Sequence, residues 1–240
     1  MRTDHRPYPI KRLFAALERS YINRVLAPQA DTFGEHAMVL KPWHVRFHGK
    51  HIRVGAQPHI IAAADRPVSL TTWSYEEHQG HIDIGDYVLI CPGVRIDSAL
   101  SVTIGANSML AANSYITDAD WHDQYDRTQP VGNKAAVVLG SNVWIGDGAM
   151  VCKGVSIGDN AIVGARALVN RDVPANSIVA GNPARAVKTL DSTRALRTRA
   201  ELLEHPLELQ TQLRELDRYM LEPNGWWNWL RTLIAPRRSD

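Results

Sequence analysis

Cysteine is scarce: Cys91 and Cys152 are the only two in 240 residues. They form no CxxC pair, which argues against a thiolate metal site, and two thiols make no disulfide framework. Each directly follows an aliphatic residue of regular spacing, so both are expected to be small packed residues. A surplus of one charge is missing too. The formal net charge of +2 is too weak to suggest a nucleic-acid binder. No apolar run reaches the length of a membrane span. The opening MRTDHRPYPIKR has basic residues but no apolar segment of secretion-signal type. A cytoplasmic protein is expected. With 45% hydrophobic residues, the chain can still build a substantial core as one domain with appendages.

What is present is a beat of six. Ile104, Leu110 and Ile116 open it, and after a gap Leu139, Ile145, Val151, Ile157, Val163 and Val169 continue it. The units read IGANSM, LAANSY, LGSNVW, IGDGAM, VCKGVS, IGDNAI, VGARAL and VNRDVP, with IGDYVL, ICPGVR and IDSALS before them. An α-helix cannot place residues six apart on one face. Six-residue self-similarity instead marks a parallel β-helix, three units making a coil of about 18 residues. The fold class is therefore all-β: a parallel β-helix of hexapeptide repeats, its beat aliphatics stacked in one apolar column. Gly55, Gly85, Gly105, Asn107, Gly140, Asn142, Gly146, Gly158 and Asn160 recur near the corners, where positive φ is expected of them.

The ends have a different rhythm. Ile10, Leu13, Phe14, Leu17, Tyr21 and Val25 fall at helical spacing, and Leu209, Leu213, Leu216 and Met220 do so again behind Pro206. Three parts are expected: a helical segment at 1–35, the β-helix at 36–190 with a loop at 117–138, and a helical extension at 191–240. Flanking helices would cover the open ends of the stack. Residues 61–83 are too weakly patterned to assign. The termini also gather Arg2, Arg6, Lys11, Arg12, Arg19 and Arg24, and then Trp226, Trp227, Trp229, Leu230, Leu233 and Ile234 beside Arg231, Arg237 and Arg238. Packing within the protein and peripheral membrane contact both fit such a tail.

The block NVWIG, GVSIGDNAIVGA, DVPANS and GNPAR, within residues 141–188, resembles the hexapeptide-repeat O-acetyltransferases, the group of the galactoside, maltose and nodulation-factor enzymes. The resemblance implies a left-handed coil, a homotrimer, and acetyl-CoA in the groove between subunits. It implies His122 as the catalytic residue. Asp147, Ala165, Asn170, Arg171, Arg185 and Lys188 fall on the family's CoA contacts. Three of these are cations, suited to phosphate, whereas Asp147 stands where a small neutral residue is common. The family's sugar-contacting Asn and Asp fall on Cys91 and Ala99, so the acceptor side matches less well than the donor side.

His122 stands where the beat is lost between Ile116 and Leu139, among Asp118, Asp120, Asp123 and Asp126. A neutral imidazole can take an alcohol's proton as it attacks a thioester, and a carboxylate such as Asp118, Asp120 or Asp123 could fix its tautomer. The reading is an acetyl-CoA-dependent O-acetyltransferase acting on a carbohydrate or glycolipid hydroxyl, with no metal required. Trp121 and Asn113 are candidate acceptor contacts; the plainer readings are loop packing for the first and a turn for the second. The alternatives are N-acetylation of an amino-sugar, a zinc lyase or hydrolase of carbonic-anhydrase type using His78, His81 and His122, and a scaffold without catalysis.

Overall fold

A computed structural model describes residues 4–75 and 78–237, leaving the side chains of Tyr75 and His78 aside. Arg2 and Arg238 lie outside the described residues. The chain divides into two compact units, one from Tyr21 to Leu202 and the other combining the chain before residue 21 with that after 202.

The larger unit is built from short parallel strands in three sheets of six, eight and six strands, and a two-stranded hairpin stands apart from them. Strands one coil apart pair in register. Ile104, Leu139 and Ile157 stack in the first sheet. Ile90, Leu110, Ile145 and Val163 stack in the second, and Ile96, Ile116, Val151 and Val169 in the third. All of these are buried in one continuous core. Each full burial of such a side chain contributes about 1.5–3 kcal/mol relative to exposure, which is why the beat of six survives in the sequence.

Asparagine and glycine divide the corner work. Asn107, Asn142, Asn160 and Asn176 hold φ between 57° and 64°, the left-handed region that Asn tolerates. Asn142 donates to Asn160 at 2.9 Å and Asn160 donates to Asn176 at 2.9 Å, making a side-chain ladder across coils. Gly55, Gly85, Gly105, Gly140, Gly146 and Gly158 do not have positive φ, contrary to expectation. Their role is clearance: a Cβ on Gly105 would strike the carbonyl oxygen of Gly140 in the next coil.

Residues 61–83 prove to be a coil with an excursion. Val68–Thr72 pairs with Arg95–Ser98, and Ile82–Ile84 pairs with Val102–Ile104. Between them a hairpin of Ser74–Tyr75 and His78–Gln79 leaves the corner. The coil also begins earlier than expected. Thr32–Phe33, inside the segment read as helical, already pairs with Arg53–Val54. Ile22 and Leu26, in a helical stretch that ends at Gln29, are buried in the coil's core.

Four α-helices are present among the described residues: α1 (Tyr8–Tyr21), α2 (Arg199–Leu203), α3 (Pro206–Leu221) and α4 (Trp226–Ile234). Within the larger unit, Arg199 at the start of α2 donates through Nε to the Tyr87 carbonyl at 2.9 Å. The Ala200 N–H donates to Asn107 Oδ1 at 2.7 Å. Within the helical unit, Lys11 pairs with Asp217 at 3.5 Å, and Asn224 Nδ2 donates to the carbonyls of Asp4 and Arg6. The helical spacing at both ends is realised, but the apolar faces it marks look outward. Leu13, Phe14 and Leu17 of α1 and Leu213, Leu216 and Met220 of α3 are exposed.

Candidate active site

The third-sheet strand Tyr115–Thr117 and the first-sheet strand Val137–Leu139 bracket the interruption. The coil closes as though the insertion were absent, since Val102 and Ile104 pair with Val137 and Leu139 on its far side. A loop that leaves and rejoins a stack this way must be tied at its base, because its own backbone groups have no ladder to join. Asp118 is the main tie. Its buried carboxylate accepts from Ser98 Oγ at 2.6 Å, from the Ala99 N–H at 2.7 Å and from the Leu100 N–H at 2.9 Å. Asp120 pairs with Lys153 at 2.6 Å, and its backbone exchanges hydrogen bonds with Asn133 and Gly132. Asp123 and Asp126 cap turns further out, Asp123 accepting from the N–H groups of Tyr125 and Asp126, and Asp126 from Thr128 and Gln129. Those bonds hold both exposed carboxyls below the usual range.

His122 is exposed on this scaffold, and its imidazole makes no side-chain hydrogen bond among the described residues. Of the three carboxylates considered as its orienters, Asp118 and Asp120 hold the loop and Asp123 folds back on the loop itself. Trp121, its neighbour, is half-buried and donates through Nε1 to the Tyr115 hydroxyl at 3.1 Å. The Trp121 ring lies 5.7 Å from that of Trp73, which stands where the hairpin leaves the same corner. The Arg95 guanidinium sits 3.8 Å from the centre of the Tyr115 ring, a cation–π contact, and pairs with Asp97 at 2.8 Å. Burial pushes the Asp97 carboxyl above its ordinary range, with Arg95, Tyr115 and Thr71 offsetting only part of the effect.

Trp73, Tyr115, Arg95, Asp97 and Lys153 escaped the sequence reading. A signal existed for two of them: Arg95 and Tyr115 each precede a beat residue, Ile96 and Ile116, and are register partners in neighbouring coils. Outward neighbours of beat positions in adjacent coils touch. Asn113 is exposed at a corner with φ 58° and makes the left-handed turn there. Ala99 is buried, its N–H committed to Asp118, so it presents no side chain to an acceptor. Cys91 and Cys152 are half-buried, and burial raises both thiols, which disfavours a thiolate nucleophile.

The residues matched to the donor separate into two places. Asn170, Arg171 and Arg185 line a pocket of about 180 Å³, floored by Val169, Val173 and Val179. The lining thus combines an apolar floor with two arginines. Lys188 lies on the antiparallel strand Arg185–Thr189 opposite Ile178 and outside that lining. Asp147 and Ala165 sit at another corner, where the Arg166 N–H donates to the Asp147 carbonyl. Of the histidines considered for zinc, His81 stacks on His51 with ring centres 4.6 Å apart. Among the described residues no three His, Cys, Asp or Glu side chains converge as a metal site.

Residues 136–171 match the bacterial transferase hexapeptide family (six repeats), and residues 82–118 match the hexapeptide repeat of succinyl-transferase. Two curated relatives come from Escherichia coli (strain K12). WbbJ, which bears the name of a lipopolysaccharide biosynthesis O-acetyl transferase, is 33% identical over 121 residues, 46% of this chain and 61% of that protein. Galactoside O-acetyltransferase is 30% identical over 119 residues, 49% of this chain and 58% of that protein. The chain thus spans about three fifths of the length of these relatives. The fold is shared with AntD from Bacillus cereus, an N-acyltransferase solved with dTDP-4-amino-4,6-dideoxyglucose and Coenzyme A. That likeness has a TM-score of 0.55 at 18% identity and covers 75% of this chain and 90% of that one. In its repeats, its coil and these relatives, the chain is similar to the hexapeptide-repeat acetyltransferases.

Proposed function

We propose that this protein transfers the acetyl group of acetyl-CoA to a hydroxyl of a carbohydrate or glycolipid, with His122 as general base. The observation that carries this reading is the placement of His122. Its loop is fixed at the base by Asp118 and by the Asp120–Lys153 pair, yet its imidazole projects exposed and uncommitted. A base must be held in position and still be free to reach a substrate proton.

In this reaction the imidazole takes the hydroxyl proton as the acceptor oxygen attacks the thioester carbonyl. It then returns the proton to the departing sulfur, so no cysteine is acylated. Arg171 and Arg185, with Asn170, hold the nucleotide end of the donor, and Lys188 supports them from the strand that begins at Arg185. Trp121 and Trp73 give the acceptor an aromatic wall, backed by Tyr115, Arg95 and Asp97. The family resemblance supports a left-handed coil and a homotrimer with the donor between subunits.

A screen of sugar acceptors by CoA release, followed by mass analysis of the product, tests this reading. An acetyl ester, cleaved by hydroxylamine, is the expected product. A hydroxylamine-stable amide would make the protein an N-acetyltransferase of amino-sugars. Absence of CoA release with every hydroxyl and amine acceptor would overturn the transferase reading.

A further inference from the structure

We propose that Tyr115 and Gly132 are positioning residues for His122. Tyr115 holds the indole of Trp121, the residue before it, and Gly132 leaves room for the His122 backbone. The inference rests on the general-base role proposed above. With no side-chain hydrogen bond of its own among the described residues, the exposed His122 imidazole takes its place from its chain neighbours, and two ties converge on them.

The first tie is a hydrogen bond. Trp121 donates through Nε1 to the Tyr115 hydroxyl at 3.1 Å, and an indole N–H can only donate. Tyr115 is itself held. Strand register sets it beside Arg95, whose guanidinium lies 3.8 Å from the ring centre. Arg95 is anchored in turn by Asp97 at 2.8 Å, a carboxylate whose side chain is only 14% exposed. Ile116, the next residue after Tyr115, is fully buried in the column. Tyr115 therefore belongs to the coil, and it fastens a loop side chain to the coil.

The second tie is clearance. The outgoing and returning arms of the loop pair at their base. The Asp120 N–H donates to the Asn133 carbonyl at 2.8 Å, and the Gly132 N–H donates to the Asp120 carbonyl at 2.7 Å. Just beyond, the two arms run so close that a Cβ on Gly132 would strike the His122 carbonyl group. Gly132 does not have positive φ, so room, and not backbone freedom, is the reason for a glycine there. With Trp121 fastened to the coil and Gly132 packed on the His122 backbone, only the rotation of its own side chain is left to the imidazole. A general base needs such a fixed origin, because misplacement by about 1 Å can cost about 10²-fold in rate. An aromatic wall acts on acceptor binding, whereas a positioning residue acts through His122, and that difference can be measured.

The experiment uses the full chain and reads kcat and KM by CoA release, with an acceptor identified by the screen above. Tyr115→Phe keeps the ring beside Arg95 and removes only the hydroxyl. It is expected to lower kcat about tenfold, the loss of one hydrogen bond, with KM for acetyl-CoA and the circular dichroism spectrum unchanged. Trp121→Phe is expected to do the same, and the two together no more than either alone. Gly132→Ala is expected to lower kcat by up to about 10²-fold. The sharpest readout is the His122→Ala background, in which Tyr115→Phe is expected to have no further effect on single-turnover transfer. A loss that persists there assigns Tyr115 to acceptor binding and overturns the inference. Wild-type kcat in both Tyr115→Phe and Gly132→Ala, with His122→Ala inactive, also overturns it, and the base assignment survives either result. Near-full transfer by His122→Ala overturns the base assignment and this inference together.

Discussion

The coil between Leu139 and Val169 and the loop between Asp118 and Ala136 are made from the same chain under opposite rules. In the coil each beat residue is buried against a register partner one coil away, and no such residue offers a reactive atom. In the loop most residues are polar and about half are exposed. Its order comes from a few ties at its base. Stability resides in the column, and chemistry needs a place where the column is interrupted.

That separation can be broken by substitution, and the largest effect belongs to the loop. His122→Ala is expected to lower kcat about 10²–10⁴-fold, with little change in KM for acetyl-CoA, measured by steady-state CoA release. Next comes the column. Ile145→Ala removes a fully buried side chain from the second-sheet stack and is expected to cost about 2–5 kcal/mol in denaturant unfolding. Asp118 lies at the seam between the two regions. Asp118→Ala leaves the N–H groups of Ala99 and Leu100 and the Ser98 hydroxyl without their acceptor, at a cost of about 1–3 kcal/mol. It is expected to increase hydrogen exchange in the loop as well as at the corner. A change confined to the loop would show that the corner does not depend on it.

A smaller effect sharpens the donor assignment. Arg171→Gln or Arg185→Gln is expected to raise KM for acetyl-CoA about tenfold, the loss of one charged hydrogen bond. Lys188→Gln should do less, since it stands outside the pocket lining. Equal effects at all three positions would mean a site broader than the pocket.

The smallest effect concerns His59, which lies 3.4 Å from Arg199 where α2 meets the coil. Burial, and then the Arg199 charge, hold its pKa below 6.5. The folded state thus binds this proton less readily than the unfolded chain. The resulting stability is fully present above about pH 6.5 and is lost as the pH falls through the window beneath that value. His59→Gln is expected to flatten the slope of unfolding free energy against pH in that window. An unchanged slope would assign the dependence to other groups.

How much of this was legible in the sequence follows from what repeats. Ile104, Ile145 and Val163 announced themselves because one physical demand, burial in a stack, recurs every sixth residue. His122 was legible for the converse reason, as the one histidine in a gap that the beat left open. The cluster of Trp73, Tyr115, Arg95 and Asp97 was not legible, because it joins residues from different coils through outward contacts that impose no period. The carboxylates show the same limit. The sequence placed four Asp near His122, but only geometry shows that Asp118 and Asp120 serve the scaffold. The glycines were located correctly and explained wrongly. Sequence marks where a Cβ is absent, whereas the neighbouring coil decides whether φ or clearance is the reason.

The most direct test places the two regions side by side, measuring melting temperature and single-turnover acetyl transfer on His122→Ala and Ile145→Ala, with an acceptor identified by the CoA-release screen. The expected result is a crossed pattern. His122→Ala melts with the wild type and loses transfer by about 10²–10⁴-fold, while Ile145→Ala melts lower and transfers at the wild-type rate per folded molecule. Near-full transfer by a well-folded His122→Ala protein would contradict the account.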